Sequence, residues 1–294
     1  MKDRILMQIA NSLAVNVQKM KSSGLMEGIM GVVVFLYHYA RYSGRTSYRY
    51  LADHLIDVII CDAPEHQISL SEGLSGIGWG IKYLIREKFI EGDDDLLENL
   101  ESGIINYIKT RNDDDMLDGM IYLACCHPKL LNYITFPVFA GRISNFLQSD
   151  NHHLATLNKV LSIAIRLPDQ SLHTWSELLP DAVIHVIDAG LYNNSDLIIC
   201  NDLLGSFEVK KDNKAWNQLK DRCSSMLTGR ELLTDHIETI WQYMIFLDSM
   251  SRTVCDIEQL SSMVNNILKD LKESDMYLSC GLPAIGMYAL FNEK

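Results

Sequence analysis

The sequence predicts an all-α fold built from paired helices, and three observations carry that prediction. Apolar residues recur at three- and four-residue intervals with charges between them over 1–20, 95–110 and 257–272, which is the period of a one-sided helix. β-Branched strand runs are nearly absent, and the chain holds only 6 prolines in 294 residues. Short polar clusters punctuate the apolar segments, at Glu91–Asp95, Arg111–Asp115 and Tyr192–Ser195, and no Pro/Gly/Ser linker interrupts the chain, so one domain over 1–294 is expected.

Composition narrows the function. An apolar content of 48% is ample for a core. The formal charge of -12 repels nucleic-acid phosphates and anionic membrane surfaces, so neither is expected as a partner. No apolar run reaches the roughly 18 residues of a membrane span, and the N-terminal segment lacks the apolar core of a signal peptide. The 7 cysteines show no paired spacing, which fits reduced thiols and a cytoplasmic protein.

Taken in order, the elements after the first amphipathic helix share a glycine pattern. Residues 24–37 read GLMEGIMGVVVFLY, 69–84 read SLSEGLSGIGWGIKYL and 281–290 read GLPAIGMYAL, while 115–123, DMLDGMIYL, keeps one glycine. Glycine inside a helix costs roughly 1 kcal/mol relative to alanine, so the pattern requires a reason. The spacing is neither that of a dinucleotide fingerprint nor that of a P-loop. Ser69 and Glu72 instead fit a capping box, which places the glycines in the first turn and a half of a helix.

Taking Gly28, Gly73 and Gly119 as equivalent gives steps of 73 − 28 = 45 and 119 − 73 = 46 residues, enough for two helices and their connections. Three degraded copies fill the interval to Gly281, with His153, Asp202 and His236 at the first glycine position and Gly205 at the second. About seven helical hairpins result, which predicts an α/α toroid, a double-layered α-barrel with inner and outer helices. The glycines are expected where inner-helix starts crowd together. There they would bring backbones close and leave amide N–H groups facing a central pocket lined by Gly28, Gly31, Gly73, Gly76, Trp79, Gly119, Gly205 and Gly281.

The repeated G-x-x-G-x-x-x-x-L-Y pattern resembles the lanthionine synthetase C-like (LanC-like) family over nearly the whole chain, most specifically at 24–40, 69–86, 115–123 and 280–290. The resemblance implies a double α-toroid with one zinc held by two cysteines and a histidine. That zinc activates a peptide cysteine for addition to a dehydrated Ser or Thr. Coordination deprotonates a thiol whose free pKa is about 8.5, and an acid or base handles the enolate formed.

Carried onto this chain, the resemblance puts Cys200 at the first zinc position and Thr234 and Asp235 at the other two. Asp235 and the adjacent His236 keep residue types that bind zinc. Asp115 and His152 match the family's catalytic Asp and His; read by themselves, they are a helix N-cap and the end of an exposed loop. The arginine that the family places before its first zinc cysteine has no counterpart around Asp196. Cys125-Cys126-His127 imitates the zinc pair but follows Gly119 instead of preceding a glycine motif, so these residues read as thiols at a helix end stopped by Pro128. Cys280 reads as a small core residue.

With two of three zinc positions altered, the expected function is binding of a substrate or leader peptide, or support of a partner modifying enzyme, without zinc and without full cyclase activity. An acidic pocket suits a basic peptide. Two other readings stay open. One is a carbohydrate-active α/α-barrel enzyme using carboxylates from Asp93–Asp95 and Asp113–Asp115; the other is a non-catalytic interaction scaffold.

Overall fold

A computed structural model describes residues 1–62, 67–92, 97–111, 113–127, 143, 147, 152–166, 178–206, 214–227, 233–247 and 256–291. Among the described residues the regular structure is entirely helical, with no strand. The helices are α1 (Lys2–Asn16), α2 (Ile29–Ser43), α3 (Thr46–Cys61), α4 (Leu74–Arg86), α5 (Glu98–Thr110), α6 (Asp114–Cys126), α7 (Leu154–Ala164), α8 (Leu178–Asp188), α9 (Asn194–Ser206), α10 (Lys214–Met226), α11 (Leu233–Glu238), α12 (Ile257–Ile267) and α13 (Leu282–Phe291). A further turn, Ile240–Gln242, follows α11 and runs into a π-helical turn over Tyr243–Leu247.

The chain divides into two compact units, one formed by 1–107 with 250–294 and the other by 108–249. Burial separates two kinds of helix in the first unit. In the first unit, α2 buries every residue from Met30 to Tyr37 and α4 every residue from Leu74 to Ile81, while α13 does the same from Leu282 to Ala289. A helix apolar all round must be covered all round. By contrast α1 buries Ile5, Leu6, Ile9, Ala10 and Leu13, and α3 buries Tyr48, Ala52, Leu55, Ile56 and Ile59. Those are single stripes, and these helices cover the inner ones.

The inner helices pack side by side. In the first unit α13 lies on α2 and α2 on α4, while α1, α3 and α12 provide the outer layer. In the second unit α6 packs on α7, α7 on α9 and α9 on α11, with α8 and α10 outside.

The inner helices begin at residues 29, 74, 114, 154, 194, 233 and 282, so successive starts lie 45, 40, 40, 40, 39 and 49 residues apart. This recurrence is more regular than the glycines suggest. Gly28 and Gly73 are N-caps of α2 and α4 in extended conformation, and Gly281 directly precedes α13. In α7 the same place is held by His153, and in α6 by Asp113. Gly119, Asp202 and His236 instead lie inside α6, α9 and α11. Aligning them with Gly28 therefore shifted the register of the middle copies, because there the chain changes direction on polar caps.

The reason for the glycines is a fold-back of the preceding loop. A Cβ on Gly73 would stand 2.4 Å from Gln67 O, one on Gly76 2.2 Å from Leu70 O, one on Gly31 2.4 Å from Leu25 O and one on Gly281 2.4 Å from Asp275 O. In each case the obstructing carbonyl is six residues upstream. The loop is held there by the helix itself: Leu74 N–H donates to Gln67 O at 2.8 Å and Ser75 N–H to Ile68 O at 3.2 Å, while Ile29 N–H donates to Ser22 O at 2.9 Å. The close approach was expected, but the amides expected to face a pocket are already paired with backbone. Ser69 does cap Glu72 N–H, at 3.2 Å, but it closes a turn before the helix, and Glu72 accepts from Gln67 Nε2 at 2.8 Å.

Candidate functional site

A group of polar side chains in the second unit joins the starts of α7 and α9 to α11 and the turn that follows it. Asn193 opens α9: its Oδ1 accepts from Asp196 N–H at 2.7 Å, and its own N–H donates to Asp196 Oδ2 at 3.4 Å. This is a reciprocal cap built from Asn and Asp. Asp196 is only 6% exposed. Burial holds its carboxyl above the ordinary carboxylate range, with the nearby Glu238 adding to the effect and the Asn193 hydrogen bond opposing it.

Neighbouring helices are tied to this start one repeat away. Asn158 of α7 donates from Nδ2 to Asp196 O at 2.8 Å, Asn194 donates to Asp235 Oδ2 of α11 at 3.1 Å, and Ser195 Oγ donates to Glu238 Oε2 at 2.8 Å. Thr239 Oγ1 closes the turn on His236 O at 2.8 Å. Three buried polar atoms here have no hydrogen-bond partner among the described residues: Asn158 Oδ1, His236 Nδ1 and Gln242 Oε1. Buried polar atoms are rarely left unpaired, so these mark places where a water or ligand atom would be accommodated.

The π-helical turn completes the surroundings. Its Tyr243 hydroxyl donates to Asp202, and Ile245 O accepts from Cys125 Sγ at 3.3 Å and Arg166 Nη2 at 2.9 Å. A π turn widens the backbone spiral and frees a carbonyl for such side-chain donors, and turns of this kind are frequent at functional sites.

Cys200 lies deeper, in the seventh position of α9, fully buried. Its Sγ is 4.0 Å from Cys223 Sγ of α10. The hydrogen bond with Cys223 and burial both push the Cys200 thiol up, so it is a neutral thiol at physiological pH. The three residues matched to a zinc site thus have separate engagements, Cys200 with a second thiol and Asp235 with Asn194, while His236 Nδ1 is unpaired. Among the described residues no group of three or more His, Cys, Asp or Glu side chains is placed to hold a metal ion. Tetrahedral zinc needs its ligands aimed at one point.

The other sequence-derived residues are placed as follows. Asp115 is the second residue of α6, and the cap is Asp113, whose Oδ1 accepts from Met116 N–H at 3.2 Å. His152 is buried at the entry to α7, where an exposed loop end was expected. Trp79 is buried and stacked on Tyr83 with ring centroids 5.0 Å apart. Gly119 is buried within α6. Gly205 is exposed and a Cβ there would meet nothing within 4 Å, so the crowding expected of it is absent. Cys125 and Cys126 end α6, as expected, whereas Cys280 is exposed instead of packed in the core. Pro128 and Asp93–Asp95 lie outside the described residues.

Sequence reasoning missed Asn158, Asn193, Ser195 and Glu238. The signal available was the Asn193-x-x-Asp196 spacing, a capping box in Asx form placed 40 residues after His153. Among the described residues no helix is long and apolar enough to cross a membrane. Fold and site together define an all-α protein of recurring helical hairpins with a polar cluster at its inner-helix starts. Comparison with protein-family models, with curated proteins and with solved structures gives no match.

Proposed function

We propose that this chain is a LanC-like α/α toroid that binds a peptide at the inner-helix starts of residues 152–243 and does not itself carry out zinc-dependent cyclisation. The observation that carries the reading is the succession of inner-helix starts at steps of 39 to 49 residues, which is the pattern of hairpins repeated around an axis. The packing of α13 on α2, the last inner helix on the first, supports it as well. Asp235 and Glu238, both part-exposed, supply carboxylates for basic side chains above the buried Asp196.

The test is selection from a random phage-displayed peptide library on the intact protein, with Asp196→Asn/Glu238→Gln as the comparison. Enrichment of Lys- and Arg-containing peptides that bind the wild type and are lost with the double variant is expected. Equal enrichment on both proteins, or none, would refute the binding reading. Elemental analysis of protein purified without chelator tests the rest: near-stoichiometric zinc that disappears in Cys200→Ala would overturn the assignment of a non-cyclase.

A further inference from the structure

The junction of α2 and α3 in the first unit forms a cleft of about 300 Å³ lined by Tyr37, Ala40, Arg41, Gly44, Thr46, Arg49, Lys88 and Phe89. Three of the eight lining residues are cations and none is a carboxylate, in a chain whose formal charge is -12. We propose that this cleft binds a compact polyanion, a diphosphate group, gripped by Arg41, Arg49 and Lys88.

The local backbone is arranged around the cleft. Gly44 ends α2 in the left-handed region at φ 69°, and Arg45 then enters α3 in extended conformation. No side chain caps α3, so the N–H groups of its first turn add to the positive potential beside Thr46. Opposite them, Lys88 holds φ 58° in the turn after α4, a left-handed conformation that costs a lysine free energy and that glycine adopts freely. Arg41 is fixed by donating from Nη2 to Glu87 O at 2.6 Å and by lying 3.5 Å from the centroid of Phe89. That contact covers the aromatic face, so the cleft offers charge rather than a platform for stacking a base. Carboxylates border the cleft without lining it: Asp53 accepts from the Tyr37 hydroxyl at its wall, and Glu87 is paired with Arg86 at 3.6 Å.

The diphosphate could be free or the end of a nucleotide, and the two sources differ in one respect. An adjoining cleft of about 680 Å³ shares Arg49, Lys88 and Phe89 and adds Ile85, Ile90, Asp53 and Glu91, which gives a nucleoside room that free diphosphate does not use. Calorimetry at low salt with pyrophosphate, ADP and adenosine distinguishes them. Pyrophosphate is expected to bind with a Kd below about 1 mM, weakened roughly tenfold or more in Arg49→Gln/Lys88→Gln. Both residues are exposed, so the variant is expected to keep the fold, which circular dichroism verifies. ADP binding tighter than pyrophosphate assigns a nucleotide, and equal or weaker ADP binding assigns free diphosphate. Absence of pyrophosphate binding at about 10 mM, an unchanged Kd in the double variant, or an equal loss in Lys269→Gln, a residue that lines neither cleft, would overturn the proposal.

Discussion

Lowering the pH should destabilise the first unit through His38. This imidazole lies inside α2, its Nε2 is 2.7 Å from the Tyr83 hydroxyl, and Phe89 and Phe291 pack edge-on against it with centroids 4.7 and 5.0 Å away. Burial, reinforced by the positive charge of Arg41, lowers its pKa from 6.5 to about 3. Below pH 6.5 the unfolded chain therefore takes up a proton that the native imidazole refuses, so the unfolded state binds more protons and stability rises with pH. The contribution is fully present above 6.5 and is lost as the pH falls from 6.5 towards about 3. Each unit of pH within that window is worth about 1.4 kcal/mol, so the loss at about pH 5 is about 2 kcal/mol. Urea unfolding at about pH 7.5 and pH 5, for wild type and for His38→Gln, isolates this contribution, because every other titrating group is common to both proteins. The variant starts less stable but should lose about 2 kcal/mol less between the two conditions. Parallel losses in the two proteins, or an imidazole resonance titrating near 6.5 in the folded state, would refute the reasoning.

The remaining predictions concern glycines and thiols. Gly73→Ala places a methyl against the carbonyl of Gln67 and the amide of Ser69, both backbone, and is expected to cost about 3 kcal/mol in denaturant unfolding; a cost under about 1 kcal/mol would show that the loop gives way. Gly205→Ala meets open space near the end of a helix and should stabilise by about 0.5 kcal/mol in the same assay. In native protein, Cys61 and Cys280 should alkylate readily while Cys200 and Cys223 stay protected, as mass mapping after a short iodoacetamide pulse would show.

Much of the architecture was legible because it depends on periodicity. The helices at 95–110 and 257–272 were found within a few residues, and the glycine caps at 28, 73 and 281 marked three inner-helix starts correctly. The middle register was not legible from glycines, since there the cap positions are held by Asp113, His153 and Asn193. The polar cluster was missed for a different reason. Its hydrogen bonds join residues 38, 41 and 43 positions apart, and no local window contains both partners. A periodicity near 40 residues would have revealed them as neighbours. The candidate zinc residues were chosen by type, and residue type does not fix where a side chain is aimed; the one thiol beside Cys200, that of Cys223, was not legible from spacing.

The two units also differ in how the ribosome delivers them. The unit of 108–249 is one uninterrupted stretch, whereas the other joins 1–107 to 250–294. Its inner helix α2 and its outer helix α1 both pack against α13, which is synthesised more than two hundred residues after them. Until α13 is made, those two helices lack the partner that covers part of their apolar surface. The last inner helix of this unit thus arrives only after the whole of the other unit has been made, so the first unit can complete its packing only then.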